Sequence, residues 1–471
     1  MRMRLALLAL LALALAAGCG SGGGGGGSNP PDAASIVPAD AQAFATIDTD
    51  GSSDQVESAL AVLDKFPIKQ KLTTQLEQSA SKSGLHVKQL LSSVGPVLDV
   101  AVVKLQASTG AVGFARPDDE QAFVAQLKDL KHTTIDDWTV FAQSQALLDA
   151  VTNRTSSLAD DSMYQAAIGS IPGTGDALAR VYAPGTALKT GASLAGGTAG
   201  GSLQALTKKS VPDWITGALS SSDSDGFNLE LHVKQATGGA PTGTANLADQ
   251  IPADALAALS ITGGSLKALP AGTEDQLGNL TQKLGIDVSS LVGILNGPVI
   301  VYVKQGTPIP EVTLAAKPPD AAGASRAIGT LMAKLVLAHG GSIRKIAVSG
   351  VELSMVNVGP VAIYWGTFNG ELVVTDNPSS LATLKNGPSS KLTDDATFKA
   401  AADAAAMPSD NEAFLYVDLK DTVPMIEGLA TLGGQQIPPS VDQNLAPLKT
   451  LLAYGARDGQ VQTAVVNLQT N

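Results

Sequence analysis

Residues 36–47 read IVPADAQAFATI, and residues 251–261 read IPADALAALSI. In both, Pro-Ala-Asp-Ala follows an aliphatic residue and leads into an apolar stretch, Ala43 to Ile47 and Ala257 to Ile261. Other landmarks recur in the same order. Gly84-Leu85-His86-Val87 answers Gly285-Ile286-Asp287-Val288, and Gly95-Pro96 and Gly297-Pro298 each precede a valine-rich run. Arg116-Pro117-Asp118 answers Lys317-Pro318-Pro319-Asp320, while Leu158, Asp160, Asp161 and Tyr164 correspond to Leu392, Asp394, Asp395 and Phe398. Asp225-Gly226 and Asp458-Gly459 each precede a closing strand. Ordered recurrence of this kind is the signature of an internal repeat. The sequence therefore predicts an α+β fold of two diverged tandem copies, residues 36–235 and 249–471, joined by a linker at 236–248.

Each copy is expected to hold an antiparallel or mixed β-sheet flanked by helices. Val97 to Leu105 and Val299 to Lys304 are rich in β-branched residues and bounded by Gly-Pro, so they read as strands. Leu178 to Ala183, Phe227 to Lys234, Ala413 to Leu419 and Val461 to Leu468 read likewise. Val56, Ala59, Leu60 and Leu63 lie at helical spacing, with Asp54 and Glu57 placed for a capping box. Strands that follow one another without an intervening helix make a doubly wound nucleotide fold the poorer fit.

The chain opens with Arg2 and Arg4 and a run of Leu and Ala, the basic and apolar regions of an export signal over residues 1–18. Its apolar part, Leu5 to Ala17, is shorter than the roughly 20 residues a membrane-spanning helix needs. The run ends in Leu15-Ala16-Ala17-Gly18-Cys19, which resembles the lipobox of bacterial lipoproteins apart from Ala16, where Leu is commoner. Cys19 is the single cysteine of 471 residues, so it has no internal disulfide partner. Its place at the cleavage point predicts lipidation and anchorage on the extracytoplasmic side of the cell membrane. Acyl chains contribute about 0.8 kcal/mol per buried CH₂, and two or three on one residue hold a protein firmly. Residues 19–35 then supply a Gly/Ser/Pro tether of flexible coil.

Formal net charge is −12, and cleavage of the leader removes two further positive charges. A body this acidic has no electrostatic hold on nucleic acid and is repelled by anionic lipid surfaces. Hydrophobic residues make up 44% of the chain, enough for more than one core, and the scarcity of aromatics, 4%, predicts cores of small aliphatics.

The lipobox, the Gly-rich tether and the stretches SIVPADAQAFATIDTD (35–50), DQVESALAVLDKFP (54–67) and LADDSMYQAA (158–167) together resemble actinobacterial lipoproteins that share domain of unknown function 3352. The resemblance spans most of the exported chain. It implies an extracytoplasmic lipoprotein and carries over no reaction, ligand or catalytic residue.

Catalytic patterns are sparse. His86, His132, His232 and His339 stand singly, with no metal-ligand spacing, and read as solvated surface residues. Asp48, Asp50 and Asp54 fail the calcium-loop template, because Gly51 comes too early and Ala59 stands where a bidentate Glu belongs. Asp160-Asp161 and Asp394-Asp395 precede apparent helices and read as caps. Ser79-Ala80-Ser81-Lys82, Lys189-Thr190-Gly191 and Ser409-Asp410-Asn411 match fragments of a penicillin-binding enzyme's motifs in the wrong order. No cofactor or metal is expected. The leading expectation is a non-enzymatic binding or envelope-organising module with a protein partner. The alternative is a carrier of lipid or another apolar ligand, and a hydrolase with an unrecognised site ranks last. A large apolar cavity would favour the carrier, one exposed apolar patch the binding module, and a buried, perturbed carboxylate in a cleft the enzyme.

Overall fold

A computed structural model describes residues 32–81, 93–103, 110–127, 130–172, 177–187, 211–222, 225–235, 246–263, 293–294, 296–307, 309–359 and 361–471. The first eight strands are β1 (Ala43–Asp48), β2 (Val97–Val102), β3 (Ala111–Ala115), β4 (Lys131–Ile135), β5 (Trp138–Ala142), β6 (Ala179–Pro184), β7 (Pro212–Ser222) and β8 (Gly226–Gln235). The next five are β9 (Ala255–Ile261), β10 (Val299–Lys304), β11 (Glu311–Ala316), β12 (Arg344–Val348) and β13 (Val351–Val358). The last five are β14 (Val361–Phe368), β15 (Glu371–Thr375), β16 (Ala413–Asp418), β17 (Leu448–Asp458) and β18 (Val461–Thr470). Helices α1 to α5 cover Asp54–Asp64, Ile68–Ser81, Glu120–Gln126, Gln145–Thr152 and Ser162–Ile168. Helices α6 to α10 cover Ala321–His339, Ser379–Asn386, Ala396–Ala404, Leu419–Leu432 and Pro439–Leu445.

All 18 strands belong to one sheet, and every pairing is antiparallel. From edge to edge the pairings run β4-β5-β3-β2-β1-β6-β7-β8, cross to β18, and continue β17-β16-β9-β10-β11-β15-β14-β13-β12. This overturns the expectation of two tandem copies of a mixed unit, each with its own sheet. β8 and β18, read as strands that each close a separate unit, pair with each other from Lys234↔Val461 to Gly226↔Gln469. The physical reason is the strand edge: a closing strand presents a row of free N–H and C=O groups that demands a partner. Among the described residues the two halves also differ in strand count. β4 alone intervenes between β3 and β5, whereas β12, β13 and β14 intervene between β11 and β15.

The repeated landmarks are local joints of the fold. Pro38 bridges Ser157 and Pro252 bridges Lys391, in each case just before a short 3-10 turn. Gly95 and Gly297 meet passing backbone: a Cβ on either would collide with the carbonyl of Arg116 or Lys317, respectively. The strands at the two edges carry exposed charged residues, Lys131 and His132 on β4, Arg344 and Lys345 on β12. Charged edges discourage further pairing.

One face of the sheet is packed. Phe44, Phe114, Trp138 and Tyr182 join Leu148 of α4 and Tyr164 of α5 in one core. Further along, Ile300, Tyr302, Phe414 and Tyr416 join Leu381 of α7 and Phe398 of α8 in another. The other face is roofed in places: α3 covers Ile47, Leu98 and Ala115, α1 meets Leu219 and Phe227, and α6 covers Val299, Ala316 and Trp365. Among the described residues no helix is long and apolar enough to cross a membrane.

Candidate functional site

Between those roofed stretches lie the central strands β8, β18, β17 and β16, with α9 packed on part of β17, β16 and β9. Side chains alternate across a pleated strand, so register identifies which residues share the less covered face. One cross-strand row reads Leu229, Val466, Ala453, Leu415 and Leu259, on β8, β18, β17, β16 and β9. Leu229 and Val466 are each 40% exposed and Leu415 39%. The neighbouring row is small: Ala464, Gly455 and Ala413. Along β17 the floor is thus Ala453 and Gly455, and Val466 and Leu415 rise from the strands on either side. The space over Gly455 is open, since a Cβ built there would meet nothing nearer than the Thr463 carbonyl oxygen at 3.9 Å. The result is a shallow apolar groove along β17.

Two residues beyond Gly455, on the same face, stands Arg457. Its side chain is 10% exposed; its Nε donates to Glu412 Oε1 at 3.0 Å. Its Nη1 is buried and has no hydrogen-bond partner. Glu412 is fixed in turn, its N–H donating to the Gly455 carbonyl and its own carbonyl accepting from Thr262. A buried donor left without an acceptor costs about 1–3 kcal/mol, so this guanidinium edge carries a local penalty.

On the packed face, the first described residues are locked to the sheet. The Ala33 N–H donates to Asp99 Oδ2 at 2.6 Å, and Asp32 Oδ2 accepts from Tyr164 Oη at 3.2 Å and Arg180 Nη2 at 3.4 Å. Burial pushes the Asp99 carboxyl up to about 7, against the Ala33 hydrogen bond, which lowers it. Burial likewise raises the Tyr164 hydroxyl. The adjoining hollow, lined by Phe44, Thr46, Tyr164 and Arg180 among others, has no interior room even for a water molecule. Ligand sites commonly need about 300–1,000 Å³. The cluster therefore anchors the chain where the tether meets the body and offers no substrate-sized cleft beside Asp99.

The residues singled out in the sequence are placed as follows. Cys19, His86 and Lys189-Thr190-Gly191 lie outside the described residues, as does Lys82, and the His339 side chain is not described. Asp48 accepts from Ser53 Oγ at 2.6 Å, and Ser53, in place of Asp54, caps α1 by accepting from the Val56 N–H. Asp161 accepts from the Tyr164 N–H at 2.7 Å and Asp395 from the Phe398 N–H at 2.9 Å, both as helix caps. Asn411 donates to the Pro408 carbonyl within its own turn. His132 is exposed, but His232 is buried, a correction to the surface reading. Its Nε2 donates to Glu230 Oε1 at 2.7 Å, and its Nδ1 lies 3.0 Å from Ser170 Oγ. Serine, imidazole and carboxylate in sequence have the composition of a catalytic triad. However, the Ser170 hydroxyl donates to the Ala167 carbonyl at 2.6 Å, past the end of α5. A helix C-terminus carries partial negative charge and opposes an oxyanion there. Among the described residues no group of three or more His, Cys, Asp or Glu could hold a metal ion.

The fold defines a class of protein, a body built on one antiparallel sheet with one packed face and a second face on which, among the described residues, Leu229, Val466 and Leu415 stay partly exposed. No family model matches the chain, and no curated protein matches it. Among solved structures the chain is similar to TP0453 in its crystal form IV, with 10% identity and a TM-score of 0.26. That match covers 46% of this chain and 79% of the other. At that score it carries no argument.

Proposed function

We propose that the chain is a lipid-anchored extracytoplasmic protein that acts as a non-enzymatic binding module. Cys19 carries the anchor, and the centre of the open sheet face is the contact surface. The observation that supports this reading is the run of exposed Leu229, Val466 and Leu415 on strands paired on both sides. Contiguous apolar surface on a folded body marks a place where something else is received.

Two measurements test the reading. Metabolic labelling with an alkyne-bearing palmitate is expected to tag the wild-type chain in the membrane fraction. Cys19→Ser is expected to lose both label and membrane retention, and a tagged, membrane-bound Cys19→Ser chain would overturn the anchor. A photoreactive benzoylphenylalanine at Val466, in the full anchored chain on intact cells, is expected to give a discrete adduct. The same group at Leu337, which is 86% exposed on α6, supplies the background of random collision. Equal yields at the two positions, or no adduct at all, would overturn the contact surface.

A further inference from the structure

We propose that the end of the sheet formed by β12 and the last turn of α6 docks on an anionic phospholipid surface, with Leu337 and Ile343 entering the interface and Lys334 and Arg344 on the lipid phosphates. This goes beyond the contact surface named above and rests on the anchor only for bringing a membrane within reach.

Charge is segregated in this chain. Acidic residues outnumber basic ones 43 to 31 overall, yet residues 321–370 carry Arg326, Lys334, Arg344 and Lys345 against the single carboxylate of Glu352. Arg326 is matched by Asp320 at 3.8 Å and Lys345 by Glu352 at 3.0 Å. Lys334 and Arg344 are exposed and form no ion pair among the described residues. Arg344 Nε donates only to Ser342 Oγ, at 3.4 Å.

Beside those two cations stand apolar side chains. Leu337, at 86%, is the most exposed large apolar residue among the described ones, and Ile343 is 40% exposed. Lys334 and Leu337 lie three positions apart on α6 and so share a helix face. The helix is closed by Gly340, and Gly341 passes the end of β13, where a Cβ would lie 3.4 Å from the Asn357 carbonyl oxygen. Both glycines have positive φ, 77° and 132°, which lets the chain turn from the helix into β12. One helical turn and three further residues separate Leu337 from Ile343, so they lie within about 15 Å of each other.

The surroundings discriminate among occupants. The opposite edge strand, β4, also exposes basic residues, Lys131 and His132, but no large apolar one. Protection of a free edge therefore accounts for the charges of β12 and leaves Leu337 and Ile343 unexplained. A leucine standing clear of the surface needs a shaped pocket in a protein partner. A bilayer interface takes it without one, and lipid phosphates receive the cations alongside. Net charge repels the body as a whole from such a surface, but charges more than about 10 Å away are largely screened at roughly 0.1 M ionic strength. Attraction at this end and repulsion elsewhere stand the body on its β12 edge.

The test is bimane fluorescence from the full anchored chain in vesicles whose acyl chains are brominated. One sample carries the probe on Leu337→Cys, another on Leu432→Cys, a position 75% exposed on α9. With phosphatidylglycerol in the vesicles, quenching is expected to be at least threefold stronger at position 337 than at 432. In phosphatidylcholine alone the difference is expected to vanish. Lys334→Gln paired with Arg344→Gln is expected to remove it as well, with thermal melting to show that this variant stays folded. Equal quenching at the two positions, or an unchanged difference in the folded double variant, overturns the docking surface. A probe response to poly-glutamate and none to vesicles makes the occupant an acidic polypeptide and overturns the lipid. The anchor is read separately, because an acylated Cys19 takes no probe. Labelling at Cys19 sinks the anchor and leaves the comparison of the two positions standing. On cells a lipid contact at Leu337 yields no discrete protein adduct, so that position still supplies the background for Val466.

Discussion

At Asp99 a carboxyl group is sealed between β2 and the first turn of the body, and its burial has a pH signature. The folded-state pKa is about 7 against an ordinary 3.8, so the folded chain binds this proton more tightly than the unfolded chain. Below about pH 4 both states are protonated and burial of the group is least costly. From about pH 4 to pH 7 the unfolded chain has lost the proton that the folded chain keeps, so stability falls across that window and levels off above it. Asp99→Asn keeps an acceptor for the Ala33 N–H and cannot ionise. Its stability relative to wild type is expected to improve by a few kcal/mol, to order of magnitude, between pH 4.5 and pH 8. Urea unfolding at the two pH values measures this, and a constant difference would contradict it. Asp99 was not legible as a special residue, because its partner Ala33 is 66 positions away. His232 was read as a solvated surface residue for the same reason, as Ser170 is 62 positions earlier. Asp161 and Asp395 were legible because a cap bonds three residues ahead.

Those caps set the expectation at the level of elements. Asp161→Ala and Asp395→Ala each remove the acceptor for a helix-terminal N–H, and each is expected to cost about 1 kcal/mol. Chemical denaturation of the two single variants checks this, and a loss below a few tenths would assign the aspartates another role. The strands at Val299–Lys304, Gly226–Gln235 and Val461–Thr470 were close to their sequence boundaries, since β-branched runs between Gly or Pro punctuation are a local signal. The groove was not visible in any one of these strands. It arises because Val466, Ala453 and Leu415 come from three strands whose order across the sheet no local pattern specifies.

For the molecule as a whole, the decisive feature is the β8–β18 seam. The recurring landmarks pointed to separate sheets where there is one, within which Pro38 meets Ser157 and Pro252 meets Lys391. Pairing between strands more than two hundred residues apart leaves no trace in a local pattern. Val465, opposite Glu230 on one side and Tyr454 on the other, tests the seam. Val465→Pro removes a ladder donor at the sheet's centre and leaves a buried carbonyl without its partner, which is expected to cost about 1–3 kcal/mol or more. Calorimetry is expected to show the whole transition move to lower temperature, whereas two transitions with only one displaced would mean that the halves melt independently. The seam also sets a clock for biosynthesis. β8 is complete long before β18 has been made, and at about 5–20 residues per second the intervening chain takes roughly ten to fifty seconds to appear. Through that interval one edge of a ten-residue strand carrying Leu229, Leu231 and Val233 has no mate. A nascent chain of this design therefore depends on being kept from collapsing, or from finding a neighbour's strand, until its own late partner arrives.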